Sequence, residues 1–589
     1  MKTVSFTRID SEWLSGKPDI YAGKWCGRNL NGTVEEMKLS KKELRSRCEK
    51  CEKVYENLMP KVKEILNKIN ETDESLRYWK LVAGYFVKLQ ISFLLDRYYR
   101  AKKIKEKYGE CEAFGLKSKS YKTFVGGRSF KIGAMFSDHV NLQLFTLVSR
   151  AAGINVEKVS YTDKSQKKSI KNKLLGIKRN ISNKIKGRLK KVRSDVIFTT
   201  HYQNKKDINK ISRYGGFVGE KLESRYERPN KKFRSRSRKK LKVDCESKIN
   251  NMVMNAMIWN MPTSFIEHYR DIKSVVNKKM SRVPSVFCRS NPGKSPVNNI
   301  WIAECMKKGT SISTVQHGCG YGETKYSMNE KLERETSDVY FAWGWGEKDD
   351  CINVPSSRLE RLQNDFSRHP KKHDPKKILW ATRDVRFFDD NIYPLRIGSQ
   401  LNLGYRDEHL EKVSSFSENL SDCAADLTTL RFKPYRSEYL NKNKYFKKRI
   451  LKTLSKVSSY KASGDIKDDL KESALVVIDH YPSTLFLECL SLGIPVVAFD
   501  KRIMYNSRKK YRPLIEQMIH DGTLFNSADK AAEFVNSLVV GGDISIDKIE
   551  NKSNTSTLNR YKNKFAKTSD SYYSDWGNVL KYVINRNNA

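Results

Sequence analysis

Residues 474–499 most narrow what this chain can fold into. They read ALVVID, then HYP, then STLFLECLSLG, then IPVVAF. Ala474 to Asp479 and Val496 to Phe499 are apolar without alternation, so neither strand has a face to spare for water. Thr484 to Leu492 between them reads as a short helix, with Ser483 at its N-cap and Gly493 at C′. Two strands buried on both faces and joined by a helix make a βαβ unit in a covered parallel sheet. Lys377 to Thr382 and Thr428 to Phe432 extend the same series. The spacing therefore predicts an α/β fold.

An earlier part of the chain repeats the theme. Val283 to Cys288, Ser311 to Val315 and Val339 to Ala342 read as strands, and Val297 to Lys308 as the helix leading to Gly309. Near the start, Thr3 to Thr7 alternates as a strand. Lys41 to Ile69 and Glu74 to Lys107 have the period of long amphipathic helices. Asp96 and Arg97 lie within the second of these and are expected to pair with each other. A helix to about Ala152, a strand at Asn155 to Tyr161, a strand at Val196 to Thr200 and a helix over Ile249 to Lys279, broken at Pro262, complete the first half. The expected division is an N-terminal α/β lobe with a helical region over 1–353, a polar, proline-bearing linker over 354–375, a nucleotide-binding α/β lobe over 376–555 and a closing helix over 556–589, with Trp576 on its packed face.

Charge sets the partner class. The net charge is +46 over 589 residues, a field that favours anionic partners. Residues 161–242 hold 28 basic and 6 acidic side chains, nearly half of that excess, with most of the basic ones in two runs: Lys164 to Arg193 and Lys231 to Lys240. The basic insertion, about 161–245, is expected to contact an anionic membrane surface or acceptor. Nucleic acid is less favoured, since no RRM, KH or zinc-finger pattern accompanies the runs. The 11 cysteines are scattered, and Cys48 with Cys51 sits in a helical pattern without a second pair at zinc spacing, which reads as reduced and structural. No signal peptide is read at the start, and Leu81 to Leu95 is too short and too polar to span a bilayer. The expected location is cytoplasmic, peripheral on the inner face of the cell membrane where the basic runs engage it.

The chemistry is expected where strands end. Val315 runs into Gln316-His317-Gly318-Cys319-Gly320-Tyr321-Gly322, and Ala342 into Trp343-Gly344-Trp345-Gly346. In open α/β sheets ligands sit beyond the carboxyl ends of strands. His317 is the candidate catalytic group, since imidazole gains and loses a proton near neutral pH. It could instead donate a hydrogen bond to a phosphate, or simply brace the turn against Trp343 or Trp345. Gln316, Gly318, Gly320 and Tyr321 are candidates for substrate contact. The start of the Thr484 helix offers free N–H groups and a positive dipole end beside the Ser483 and Thr484 hydroxyls, suited to a phosphate. Glu488, one turn on, could accept from a ribose hydroxyl, with Asp479 and His480 in support. Asn291-Pro292-Gly293-Lys294-Ser295 resembles the tail of a P-loop, but Cys288 stands where its first glycine belongs. No Asp-x-Asp occurs, so no metal is expected.

These residues carry a family resemblance. Ala22-Gly23-Lys24-Trp25-Cys26, Arg77-Tyr78-Trp79, Gln316-His317-Gly318-x-x-Tyr321-Gly322, Ser337-Asp338 with Trp343-Gly344-Trp345, and Asp479…Ser483-Thr484…Glu488 together resemble the transferases of bacterial surface-polysaccharide and O-antigen gene clusters. The His-Gly and Asp-x-x-x-Ser pieces are also similar to the CDP-glycerol polymerases of teichoic acid synthesis. The chain departs from the pattern at Cys319, where a second glycine is expected, at Lys24, where an acid is usual, and in the size of its basic insertion. The resemblance implies two Rossmann-like, GT-B-like lobes with the nucleotide on the C-terminal one. It implies transfer of a sugar or polyol-phosphate from a nucleotide-activated donor to a glycan or lipid-linked acceptor, with no cofactor beyond that donor. The rival reading is a non-catalytic nucleic-acid or anionic-glycan binding protein acting through the basic insertion.

Overall fold

The protein is seen in a computed structural model. It describes all residues except 14–16, 28–29, 38, 163–193, 201–202, 223–237, 239–240, 242, 281, 291–294, 369–375, 384–387, 389–404, 434–443, 462–463, 546–547, 549–554 and 589. The chain forms two compact units. Unit 1 comprises 1–199, 220–287 and 291–312, and unit 2 comprises 200–219, 288–290 and 313–589.

Unit 1 carries a five-stranded sheet of order β3-β2-β1-β4-β5, built from β1 (Lys2–Ser5), β2 (Ile20–Tyr21), β3 (Thr33–Val34), β4 (Cys111–Leu116) and β5 (Asn155–Val159). Every pairing in it is parallel. The two long expected helices are present as α1 (Lys41–Asn70) and α2 (Leu76–Tyr108). Ser40 caps α1 through a capping box with Glu43, and Ser75 caps α2 by accepting from the Tyr78 amide. Most of α2 is buried all round, because α3 (Gly127–Phe136) and α4 (Asp138–Val148) also pack on it. Charges within so apolar a helix must be answered locally. Asp96 pairs with both Arg97 and Arg100, and Asn141 Oδ1 accepts from Arg97 Nη2 at 2.8 Å. Tyr78 donates to Glu304 at 2.8 Å and accepts from the Tyr269 hydroxyl at 2.8 Å, so the Arg-Tyr-Trp motif serves the core of unit 1. Cys48 and Cys51 are buried thiols on α1.

The basic insertion is only partly described. β6 (Val196–Phe198), α5 (Lys205–Gly215) and β7 (Gly219–Lys221) are ordered elements inside it. The run Lys164 to Arg193 and most of Lys231 to Lys240 lie outside the described residues. Arg238 is the exception, and it is buried. Its guanidinium donates to Glu267 Oε2 at 2.8 Å and to the carbonyls of Ile258 and Met261 at 3.0 and 2.6 Å, closing the end of α6 (Lys248–Asn260). Beyond α6 come α7 (Tyr269–Lys279), β8 (Val286–Arg289) and α8 (Pro296–Met306). The break at Pro262 falls where the sequence places it.

Unit 2 contains β9 (Ser311–Val315) from Ser313 onward, β10 (Val339–Ala342) and β11 (Cys351–Asn353), with β10 parallel to both of its neighbours. α9 (Met328–Glu335) connects β9 to β10. The expected linker is different in the structure: α10 (Ser357–Arg368) occupies most of 354–375, burying Leu359, Leu362 and Phe366 in the unit 2 core. Leu, Leu and Phe at helical spacing outweigh the flanking prolines and polar residues, so 357–368 forms a packed helix, while 369–375 lie outside the described residues. That sheet has the order β14-β13-β12-β15-β16-β17, from β12 (Lys377–Arg383), β13 (Thr428–Lys433), β14 (Ser459–Lys461), β15 (Ser473–Ile478), β16 (Val496–Phe499) and β17 (Leu524–Phe525), all parallel. In chain order this is 3-2-1-4-5-6, the doubly wound arrangement, with its switch point between β12 and β15. α11 (Tyr405–Asn419) lies between β12 and β13, and α12 (Thr484–Leu492) between β15 and β16. The single closing helix is two, α13 (Thr555–Phe565) and α14 (Tyr572–Asn588). Trp576 is fully buried on α14, its indole N–H donating to the Pro355 carbonyl at 3.0 Å.

Arg238 should act as a structural residue despite its basic surroundings. Arg238→Ala leaves the Glu267 carboxylate buried without its partner, so denaturant unfolding should show a loss of about 3 kcal/mol. An unchanged midpoint would return Arg238 to the solvated basic run.

Candidate active site

The site is built where β9 ends. Gln316 follows immediately and is 1% exposed. Its amide Nε2 donates to the Gly318 carbonyl at 2.8 Å, closing the turn on itself. Its Oε1 accepts from the Trp343 amide at 2.9 Å and from the Trp345 indole at 2.7 Å. All of the expected rim is therefore tied to one side chain. Gln316, expected to contact substrate, uses its Oε1 and one N–H of its amide to join the ends of β9 and β10. Trp343 and Trp345 are buried. Gly320 and Gly322 have φ of +80° and +74°, where side chains are disfavoured, and a Cβ on Gly322 would stand 2.3 Å from the Trp345 ring.

His317 sits in this turn with 16% of its side chain exposed. Its Nδ1 is 2.8 Å from the Tyr321 hydroxyl, which in turn is 3.1 Å from Glu333 Oε1 on α9. Tyr321, expected to contact substrate, is fully buried, and its hydroxyl meets His317 and Glu333. Burial pushes the Glu333 carboxyl up, against the Tyr321 and Tyr340 hydroxyls and the Arg289 guanidinium that favour its ionised form. Arg289 is itself held by the Thr314 and Thr336 hydroxyls at 2.9 and 2.5 Å. The carboxyl is raised to about 8, and above that value, with Glu333 ionised, Tyr321 donates to it and His317 Nδ1–H donates to Tyr321. That tautomer leaves the lone pair on Nε2, the form a general base requires.

The turn meets the start of α12. The Cys319 amide donates to Thr484 Oγ1 at 3.4 Å, and a Cβ on Gly318 would stand 3.3 Å from the same oxygen. The His-Gly motif and the Ser-Thr motif, 165 residues apart, thus form one site within unit 2. Ser483 takes the N-cap position in extended conformation but its side chain makes no cap hydrogen bond. The first-turn amides of α12 are therefore not satisfied by their own cap, which suits an anion. Glu488, expected to contact a ribose, is buried, with Arg358 Nε donating to its Oε1 at 2.6 Å, so it ties α10 to α12.

The carboxyl end of β15 contributes further groups. Asp479 is fully buried, with its Oδ1 3.2 Å from His480 Nδ1. Lys412 of α11 donates to the Asp479 carbonyl and lies 3.4 Å from Asp500, which follows β16. His409, also on α11, is 3.2 Å from the Thr382 hydroxyl at the end of β12, and burial pushes its imidazole down to about 3, so it is neutral at physiological pH. Sequence reasoning missed Glu333, Lys412 and His409, whose helices carry no motif. It also missed Glu323, which follows Gly322. Tyr561 of α13 donates to Glu323 Oε2 at 2.8 Å and accepts from Tyr481 at 2.9 Å. Among the described residues no group of His, Cys, Asp and Glu has the arrangement of a metal site.

Glu323 gives a measurable consequence. Burial pushes its carboxyl up to about 7 from an ordinary 4.5, with the Tyr561 and Tyr481 hydroxyls pulling the other way. Between those values the folded protein holds a proton that the unfolded chain has released. Stability from this group is thus full below about pH 4.5 and lost as pH rises to about 7, a change of about 3 kcal/mol. Glu323→Gln should flatten that part of the stability–pH curve relative to the parent. Parallel curves for the two proteins would show that Glu323 titrates normally.

Comparison with known proteins adds the following. No curated protein matches the chain in sequence. Among solved structures it is similar to an α,α-trehalose-phosphate synthase (UDP-forming) from Burkholderia xenovorans in complex with glucose-6-phosphate, at 10% identity and TM-score 0.33, covering 56% of this chain and 81% of that one. It is similar to the wall teichoic acid polymerase TagF at 11% identity and TM-score 0.31, covering 66% and 89%. It is also similar to the UDP-GlcNAc 2-epimerase of Methanocaldococcus jannaschii in complex with UDP-GlcNAc and UDP, at 13% identity and TM-score 0.33, covering 54% and 79%. A family model matches residues 2–543, and the chain belongs to that family, the LIC12162 family of transferases.

Proposed function

We propose that this transferase moves a glycosyl group, or a polyol-phosphate, from a nucleotide-activated donor to a bacterial surface-glycan precursor, with the chemistry at His317. One observation carries the reading: within unit 2, a histidine oriented by Tyr321 and Glu333 lies in the turn that meets the start of α12, just past the carboxyl end of β15. His317 Nε2 takes the proton of the acceptor hydroxyl. The acceptor oxygen bonds to the transferred carbon or phosphorus, and the bond to the donor's leaving phosphate breaks, its electron pair staying on that phosphate. The amides at the start of α12, with the Ser483 and Thr484 hydroxyls, stabilise the charge that develops there. Gly318 and Gly320 keep side chains away from the reacting groups. Asp479, Lys412 and His480 at the switch point favour a nucleotide on the same sheet edge. The rival, non-catalytic reading draws on the basic runs, which lie largely outside the described residues.

His317→Ala should lower the rate by about 10²–10⁴-fold, the range for one general base or one preorganised donor. Tyr321→Phe should cost less, by loosening the imidazole without removing it. A base leaves nucleotide affinity unchanged in His317→Ala, whereas a phosphate contact weakens it; calorimetric titration of UDP, CDP, CMP, GDP and dTDP separates the two. Retention of most activity in His317→Gln with a lowered Tm would make the histidine a brace and remove it from the chemistry.

With leaving-group charge met by the helix start and cationic side chains, turnover should survive EDTA. Activity that disappears with EDTA and returns with Mg²⁺ or Mn²⁺ would overturn that part of the reading.

A further inference from the structure

Unit 1 contains a cavity of about 690 Å³ lined by Lys117, Lys119, Tyr121, Arg150, Lys158 and Trp259, among others. It opens where the chain leaves β4, with Val156 and Lys158 of β5 along one side. It therefore runs along the edge strand β5 and reaches past the carboxyl end of β4. The loop after β4 is fixed against the end of β5: the Lys117 amide donates to the Val159 carbonyl at 2.9 Å, and the Tyr161 amide to Ser120 Oγ at 2.9 Å. Gln143 of α4 is fully buried and fastens two walls at once. Its Oε1 accepts from the Lys122 amide at 2.6 Å, and its Nε2 donates to Asn260 Oδ1 at 2.7 Å, next to Trp259 on α6. The Tyr121 and Trp259 rings meet edge to face, 5.5 Å apart.

The lining is one-sided. Four cationic side chains surround the cavity, and it includes no carboxylate. Lys117, Lys119, Arg150 and Lys158 are exposed, and among the described residues none of them has an ion-pair partner. Elsewhere in unit 1 exposed lysines do have one, as Lys24 has Glu36 at 2.6 Å and Lys107 has Glu35 at 3.0 Å. Cations gathered without counter-charge repel one another, and an anion placed among them relieves that repulsion. Phosphate suits such a set of donors. The partly exposed indole beside them offers a flat apolar face of the kind that stacks on the C–H face of a sugar ring.

We propose that this cavity binds a phosphorylated sugar, the anionic end of the glycan precursor that accepts the transferred group. Its identification as the acceptor rests on the reading given under Proposed function, whereas the binding itself does not. Free sugar phosphates and lipid-linked sugar diphosphates share the recognised chemistry.

The full-length protein should be titrated by calorimetry with glucose 1-phosphate, inorganic pyrophosphate, farnesyl-diphosphate-linked glucose and, separately, UDP. Lys158→Glu and Arg150→Glu, both at exposed positions, should each weaken glucose 1-phosphate by about tenfold or more. Neither should change UDP affinity. Trp259→Phe should weaken glucose 1-phosphate more than pyrophosphate. Tighter binding of the farnesyl compound assigns the lipid-linked source, and equal binding assigns the free sugar phosphate. Absence of glucose 1-phosphate binding in the parent protein, or affinity indifferent to both charge reversals, would overturn the proposal. If none of UDP, CDP, CMP, GDP and dTDP binds the parent protein while glucose 1-phosphate follows the charges, the donor reading of unit 2 fails and this site stands.

Discussion

The Gln316 side chain is the joint on which the candidate site depends. β9 and β10 are buried strands, and their ends leave backbone donors and acceptors that water cannot reach. One amide group answers two of them, the Gly318 carbonyl and the Trp343 amide, together with the Trp345 indole. Each bond contributes about 1 kcal/mol net, but leaving any one of these buried groups unmet costs more. The turn is therefore over-determined before His317 is considered. Gly322 pressed against the Trp345 ring adds a steric lock to the same end. A histidine in so fixed a turn spends little conformational entropy on reaching a reactive geometry.

The fold was legible in the sequence wherever a strand is buried on both faces. Ala474 to Asp479 and Val496 to Phe499 leave no alternative to a covered parallel sheet, and the structure has β15 and β16 there. Short edge strands such as Ile20–Tyr21 and Thr33–Val34 are too brief to carry a period. The segment 354–375 misled because proline and charge frame a helix whose apolar residues number only a few. At the site, the motifs identified the elements but not the task of each side chain. Gln316, Tyr321 and Glu488 are polar residues beside a histidine or a helix start, and composition cannot distinguish a ligand contact from a brace. The distinction lies in partners distant in sequence, Trp345, Glu333 and Arg358. Those pairings are set by tertiary packing.

Charge shows the same division of labour. A net +46 suggests one anion-seeking surface, yet several of the described arginines are structural. Arg97, Arg238 and Arg289 are almost wholly buried, each held by a carboxylate or by side-chain and backbone oxygens. A guanidinium can satisfy several acceptors at once in a fixed plane, which makes it useful for closing helix ends and strand ends within a core. The lysines and Arg150 around the unit 1 cavity differ because, among the described residues, no carboxylate pairs with them. The informative quantity is thus the local balance of cations and carboxylates rather than the total.

Buried acids complete the picture at His317. Glu323 and Glu333 flank the same turn, and burial raises both carboxyls. Each is answered by tyrosine hydroxyls, Tyr561 with Tyr481 for one and Tyr321 with Tyr340 for the other. A phenol can donate to an ionised carboxylate or accept from a protonated one. These networks therefore stay hydrogen-bonded in either protonation state, and protonation can reverse only the bond at the oxygen that carries the proton, Oε1 on the Tyr321 side of Glu333. For the Glu333 network, reversal moves the proton of a neutral His317 from Nδ1 to Nε2. The ring that acts as a base in one state is a hydrogen-bond donor in the other. Buried acids bridged by tyrosine thus let one rigid turn supply either function without moving the backbone.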